Sequence, residues 1–362
     1  MRQELGACHC QRQAIFYAKA DLPLADELLR PRPPAPSLVD EQQRVAAELC
    51  RLVLGESAVE VEPLSEHGTF HTLYRVVLAG GRRRVVRFNA LADHHRDFPL
   101  LLDAAVMPRL RAAGLPSLAV DHVDLSRRWC PWDYEILEHA DGTALKALDP
   151  DDTLLMPLLR KLGEVVARLH EIRTDGFGLF DLRPLAEGSQ VLCGTRQRWS
   201  DYLTVRLAEH VARCSDLGAM TASEVDAVLR LFDGSASVFD DVAPCLLHGD
   251  LGNHNVFTDG TAITALIDWE DSLSGDPIYD IAFWATFHPE RRHAAFLDGY
   301  RTVRPLPEDF DVRFWLYFLR VALAKTVVRH RLGLADLPGR PPAALRIRKA
   351  LNRLAELQMQ RC

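Results

Sequence analysis

Residues 248–257 read HGDLGNHNVF, and IDWEDSLSGDP begins at Ile267. Asp250, Asn255 and Asp268 are the residues here whose types and spacing suit chemistry on oxygen. Asn255 and Asp268 offer hard oxygen ligands, but one amide and one carboxylate make a poor cage by themselves. Such incompleteness suits magnesium, which keeps waters and takes its other ligands from a nucleotide. Asp250 is on the same loop and is not needed for the metal, so its carboxylate can accept the proton of a substrate hydroxyl. Phosphoryl transfer asks for this set together with an anchor for the remaining phosphates.

The elements around these residues must bring them together. APCLL ahead of the loop reads as a buried strand. Val256-Phe257 and TAITALI flank Asp259-Gly260, a strong hairpin signal. A hairpin returns its far end to its start, so Asp268 should come back beside Asn255. The phosphate anchor should lie in the preceding β-rich region, yet no lysine occurs between Lys19 and Lys146. Arg87, in VVRFN, is the candidate; it can grip phosphate bidentately, with a geometry unlike a lysine point charge. Asp103, early in the next helical stretch, is placed to orient it. The loop LSEHGTFHTLY contains Gly68, and its backbone amides could cover phosphates.

Around this machinery the chain divides into three. Residues 1–37 end in RPRPPAPS, a stiff extended linker closing an N-terminal extension. Residues 38–139 read as a nucleotide-binding lobe: a helix over Val39–Leu54, then VEVEPL, TLYRVVLAG and RRRVVRFN as a three-stranded meander turning at Gly80-Gly81. A helix follows that Pro108 must bend or shorten before Gly114, and then strands near 118–124 and 133–138. Residues 140–362 read as a helical, substrate-binding lobe, with Asp149 capping a helix whose first turn holds Pro150, and Thr221 with Glu224 forming a capping box. The expected class is α+β, with a small β-rich lobe, a connector near 138–142 and a larger helical lobe.

Composition narrows the function classes. A net charge of −7 over 362 residues argues against a nucleic-acid binder. It is compatible with a cationic small-molecule substrate and is equally the charge of an ordinary soluble surface. No apolar run reaches the roughly 20 residues of a membrane span, and the N-terminus lacks the apolar core of a secretion signal. The eight cysteines contain no C-x-x-C pair, so free thiols and a cytoplasmic location are expected, and Cys8-His9-Cys10 lacks the second pair of a zinc site.

HGDLGNHN followed by IDWEDSLSGDPIYDIA resembles the aminoglycoside phosphotransferase family, within the wider group that includes choline kinases and protein kinases. The resemblance spans roughly residues 58–290 in element order. It implies a bilobal protein-kinase-like fold and transfer of the γ-phosphoryl group of ATP or GTP to a small-molecule hydroxyl with Mg2+. It implies Asp250 as catalytic acid/base, Asn255 and Asp268 as metal ligands, and a mainly structural role for Gly275-Asp276-Pro277 and Asp280. YEILEHADG resembles the hinge, so the backbone of Glu138, His139 and Ala140 should hydrogen-bond the purine. The family usually carries lysine where Arg87 stands and glutamate where Asp103 stands, and VVRFN with Asp103 is nearer to hygromycin-type kinases. An aminoglycoside or related antibiotic leads as acceptor, with resistance as the outcome. A metabolic alcohol of choline, homoserine or sugar type is the competing acceptor, and a nucleotide-binding pseudokinase the competing class. His248 should scaffold its loop, Asp276 should cap the helix that begins at Pro277, and Trp199 and Trp284 should belong to the core.

Overall fold

Strand formation in the first half follows the alternation of β-branched and aromatic residues. The computed structural model describes residues 36–64, 71–89, 100–149, 151–331 and 342–360; the Gly68 loop lies outside them, as does nearly all of the N-terminal extension. Helix α1 (Pro36–Leu49) begins two residues inside the segment read as linker and continues as a π-turn to Leu54. Proline tolerates a first helical turn, where its missing N–H is not needed.

Strands β1 (Ala58–Pro63), β2 (Thr72–Leu78), β3 (Arg83–Phe88), β4 (Val120–Asp124) and β5 (Tyr134–Glu138) form one antiparallel sheet in the order β1-β2-β3-β5-β4. On β2, Thr72, Tyr74, Val76 and Leu78 turn inward. Tyr74, Val76 and Leu78 pack with Val86, Phe88, Tyr134 and Ile136 against Ala46 and Leu49 of α1. The β3–β5 register sets Arg87 directly across from Glu135, so both side chains leave the same face of the sheet. Helix α2 (Leu100–Ala112) carries Pro108 internally and gives way to Gly114 at φ +68°.

The larger lobe is helical: α3 (Asp152–Leu169), α4 (Leu207–Asp216), α5 (Ala222–Asp233), α6 (Pro277–Ala285), α7 (Glu290–Val303), α8 (Phe310–Arg331) and α9 (Ala343–Met359), with shorter turns between. Helix α8 is buried without a break from Leu316 to Val328, and the two cations inside that stretch are paired with oxygen, Arg320 with the Leu203 carbonyl and Lys325 with the Thr286 hydroxyl. Trp199 and Trp284 are core residues. The Thr221–Glu224 capping box is formed. The start of α3 differs from expectation: Asp151 caps it, accepting from the amides of Thr153 and Leu154, while Asp149 accepts from Asn253 Nδ2 and Arg292. Asp149 is thereby tied to the 248–257 loop and to α7 rather than to a helix terminus.

Two small sheets interrupt the helices. Strand β6 (Thr143–Ala144) pairs with β10 (Val256–Thr258), which pairs with β11 (Ile263–Leu266). Strands β7 (Phe177–Phe180), β8 (Gly194–Arg196), β9 (Cys245–Leu247) and β12 (Leu273–Gly275) form the other, in the order β8-β7-β12-β9. Apart from β9, this sheet was not legible in the sequence. Its three- and four-residue strands are too short for a period of two to register, and glycine in three of them weakens β propensity. The five described cysteines are free thiols. No helix among the described residues is long and apolar enough to cross a membrane.

The helical core also holds an acid-sensitive residue. The ring of His288 stacks on Trp284 at 4.0 Å, and both ring nitrogens are buried without a hydrogen-bond partner among the described residues. Burial, aided by Arg292 and Lys325, pushes its pKa down to about 3. The unfolded chain takes up this proton near pH 6.5 and the folded protein does not. The contribution is therefore lost as pH falls from about 6.5 towards 3, at up to about 1.4 kcal/mol per pH unit. His288→Phe keeps the stack and removes the proton. Urea titrations at pH 7.5 and 5.0 should show a smaller acid-induced loss in the variant than in the wild type. Equal losses would show that His288 is not a neutral buried group.

Candidate active site

The loop over residues 248–255 is held by its backbone. Asp280 of α6 accepts from the amides of His248 (2.6 Å) and Gly249 (3.0 Å) and lies 3.4 Å from His170 Nε2, while His170 Nδ1 meets the Tyr300 hydroxyl at 3.0 Å. The His248 ring donates from Nε2 to the Ile267 carbonyl (3.0 Å), and its Nδ1 accepts the Asp250 amide (3.3 Å). His248 thus ties the loop to the end of the hairpin, a scaffold role. Asp276 caps α6 by accepting from Ile278 N, and also accepts from Arg313 (2.9 Å) and Tyr317 (2.7 Å).

Gly249 has no substitute in this loop. Its φ is +79°, and a Cβ there would lie 1.9 Å from the Asp271 carbonyl oxygen. Gly249→Ala combines a left-handed backbone, about 1–2 kcal/mol, with an overpacked contact, about 1–3 kcal/mol. A lower denaturant midpoint with an unchanged slope is the expected result. A wild-type midpoint would show that the loop relaxes freely.

The hairpin does what its turn signal implies. β10 and β11 pair with Val256 opposite Leu266, and the Ile267 amide donates to the Asn255 carbonyl at 3.0 Å. This brings Asp268 back beside Asn255. The Asn255 amide group donates to the Asp250 carbonyl (3.0 Å) and approaches Asp250 Oδ2 (3.4 Å), which leaves Oδ1 as its acceptor. Asp268 has φ +66° and ψ +63°, a strained conformation for a residue other than glycine. His254 Nε2 is 3.6 Å from Asp250 Oδ2; burial opposes charging of His254, and the Asp250 carboxylate more than offsets it, raising its pKa.

Arg87 is buried between the lobes and meets four carboxylates. Its Nη1 lies 3.3 Å from Asp103 and 3.2 Å from Glu135; its Nη2 lies 3.2 Å from Asp268 and 2.8 Å from Glu270. Burial works against the guanidinium charge, but Asp268, Glu135, Glu270 and Asp103 outweigh it and hold the group protonated. Asp103 is pushed up to about 7, by burial first and then by Asp268 and Glu270, against the pull of Arg87. Burial and Asp103 raise Glu135 well above the usual carboxylate range. On the cleft side, Glu270 Oε2 is also 2.6 Å from Nε2 of the buried His71, at the head of β2.

The expected Arg87–Asp103 pair is therefore formed, and Asp268, Glu135, Glu270 and, through Glu270, His71 join it. Glu135 could have been suspected as a charge inside the apolar run YEILE, Glu270 follows Asp268 by two positions without a role that spacing assigns, and nothing singled out His71. Gly68 lies outside the described residues. At the hinge, the Glu138 amide donates to Ala119 O (2.8 Å) and the His139 amide to Arg83 O (3.3 Å). Of the three hinge residues, Ala140 is the one whose N–H is not committed to a backbone partner among the described residues.

Asn255 and Asp268 fit a divalent cation that shares its shell with phosphate. Among the described residues no group of three or more His, Cys, Asp or Glu side chains is arranged to hold a metal alone.

The model of the phosphotransferase enzyme family matches residues 60–312. Hygromycin-B 4-O-kinase of Escherichia coli is 29% identical over 234 residues, 59% of this chain; the chain spans 62% of that relative's length. Homoserine kinase of Pseudomonas aeruginosa is 27% identical over 241 residues, covering 62% of this chain and 73% of the relative. A crystal structure of a thermostable mutant of aminoglycoside phosphotransferase APH(4)-Ia, in ternary complex with AMP-PNP and hygromycin B, aligns with a TM-score of 0.63. At 24% identity it covers 85% of this chain and 98% of that one, and the likeness establishes a kinase-like, two-lobed fold.

Proposed function

The chain belongs to the phosphotransferase enzyme family, and from that premise we propose that it transfers the γ-phosphoryl group of ATP to a hydroxyl of an aminoglycoside or related antibiotic. The observation that carries the reading is the hairpin that sets Asp268 beside Asn255 and Asp250 while Arg87 reaches Asp268 from the other lobe. In this reading Asp250 accepts the proton of the acceptor hydroxyl as the oxygen attacks phosphorus. Arg87, oriented by Asp103 and Glu135, supplies fixed positive charge to the phosphates. Asn255 and Asp268 hold magnesium, which when bound neutralises charge on the transferring group. The purine lies along the hinge, with the Ala140 N–H as donor. The antibiotic acceptor is supported by the hygromycin kinase relative and is compatible with the net charge of −7; the homoserine kinase relative supports a metabolic alcohol as the second acceptor class.

Thermal unfolding with ATP, GTP or neither, each with and without Mg2+, tests the nucleotide half. Ligand at a thousand times its dissociation constant adds about 4 kcal/mol, several degrees for a protein of this size. A magnesium-dependent upward shift is expected, followed by phosphorylation of an acceptor panel in which aminoglycosides compete with amino alcohols. No shift with either nucleotide removes the kinase reading, and turnover of an amino alcohol alone replaces the acceptor.

A further inference from the structure

The terminal nitrogens of Arg87 carry four N–H groups, and all four are occupied. Two face the small-lobe acids Asp103 and Glu135, and two face the large-lobe acids Asp268 and Glu270. If Asp268 turns to a metal, one N–H of Nη2 is released. Where it then points depends on what else holds the guanidinium. Glu270 is the nearest of the four acids, at 2.8 Å, and the same oxygen, Oε2, lies 2.6 Å from His71 Nε2. That carboxylate is 7% exposed and the imidazole 5%. The other ring nitrogen, Nδ1, is buried without a hydrogen-bond partner among the described residues, so the imidazole proton is placed on Nε2, where Glu270 accepts it. Glu270 belongs to the large lobe, yet both of these donors come from the small lobe, one from β3 and one from the head of β2.

We propose that His71 and Glu270 are positioning residues for phosphoryl transfer: His71 fixes Glu270, and Glu270 keeps hold of Arg87 when Asp268 is drawn to the metal, so that the released N–H is directed at the nucleotide phosphates. The inference rests on the kinase reading above. Arginine suits this task and lysine would not. An ammonium has three N–H donors and no planar fork, and cannot stay tied to Asp103, Glu135 and Glu270 with one donor to spare.

The test is equilibrium binding of ATP to the full chain with and without Mg2+. Removing a negative charge beside the phosphate site should by charge alone tighten nucleotide binding. The proposal requires the opposite for Glu270→Gln: affinity for Mg·ATP weakened about tenfold, the loss of one well-aligned charge-assisted bond, with metal-free affinity changed less than about twofold. His71→Phe should weaken Mg·ATP binding in the same direction. His71→Gln, whose amide can still donate to Glu270, should recover most of it. The double variant His71→Phe/Glu270→Gln should be no weaker than Glu270→Gln alone, because the two act through one contact. Tighter or unchanged Mg·ATP binding in Glu270→Gln, or multiplying effects in the double variant, overturns the proposal. Should Glu270→Gln fail to fold, the His71→Phe and His71→Gln pair decides alone: equal affinities overturn it. If the wild-type protein binds no Mg·ATP, the kinase reading fails and this inference with it. Wild-type binding with insensitive variants removes the inference only.

Discussion

Asp250→Asn should lower turnover by about 10²- to 10⁴-fold, the range for loss of a positioned general base. The substitution is nearly isosteric. The backbone carbonyl of residue 250 still accepts from the Asn255 amide, and the amide of residue 250 still donates to His248 Nδ1. Asp280 still holds the loop through the amides of His248 and Gly249. The loop geometry should therefore survive, and nucleotide affinity should stay within about twofold, because in the proposed role the missing group acts on the acceptor proton and not on the phosphates. Steady-state kinetics beside equilibrium nucleotide binding separates the two effects. Turnover within about tenfold of the wild type would remove Asp250 from the proton-accepting role. Loss of nucleotide binding would show instead that the carboxylate shapes the metal site.

Arg87→Met should destabilise the folded protein by about 3–5 kcal/mol, the usual cost of breaking a buried ion pair by removing one partner. The hydrophobic volume is roughly kept, but Asp103, Glu135 and Glu270 lose the cation that compensates them in the interior. The loss should shrink as pH falls. Asp103 already titrates near 7 in the folded protein, against about 3.9 in an unfolded chain. A carboxyl whose folded pKa is raised contributes stability below its unfolded value and loses it as pH rises through the folded value. Without Arg87 that folded value moves higher still, so at pH 5.5 more of the carboxyl charge is neutralised by protons than at pH 7.5. Urea midpoints of wild type and variant should therefore lie closer together at pH 5.5. A difference independent of pH would mean that Arg87 contributes packing rather than charge compensation. Mg·ATP affinity should fall in the same variant, since the phosphates lose their fixed positive partner.

Much of the candidate site was legible because its members are close in sequence or joined by a local device. Asp250 and Asn255 share one loop, and Asp268 follows a hairpin whose Asp259-Gly260 turn sets its own length and return. The meander, the α2 helix with Pro108 and the two-lobe order were legible for the same reason, since alternation, caps and turns are short-range signals. The Thr221–Glu224 box and the Asp276 cap are confirmed, whereas the cap of α3 falls on Asp151, because Asp149 is claimed by Asn253 and Arg292 from far along the chain. The sheet β8-β7-β12-β9 was missed, being assembled from segments too short to show a period.

By itself the sequence determined the three oxygen-bearing residues, the loop and hairpin that hold them, and the order of the lobes, all of which depend on neighbours a few positions away. Only the tertiary structure decided that Arg87 meets Glu135 across the β3–β5 register, that Asp268 and Glu270 reach it from the other lobe, and that His71 closes on Glu270 from 199 positions away. These contacts are set by sheet register and lobe packing. The partners of a buried charge are chosen by which carboxylates the fold brings into the same low-dielectric space, and no local pattern records that choice.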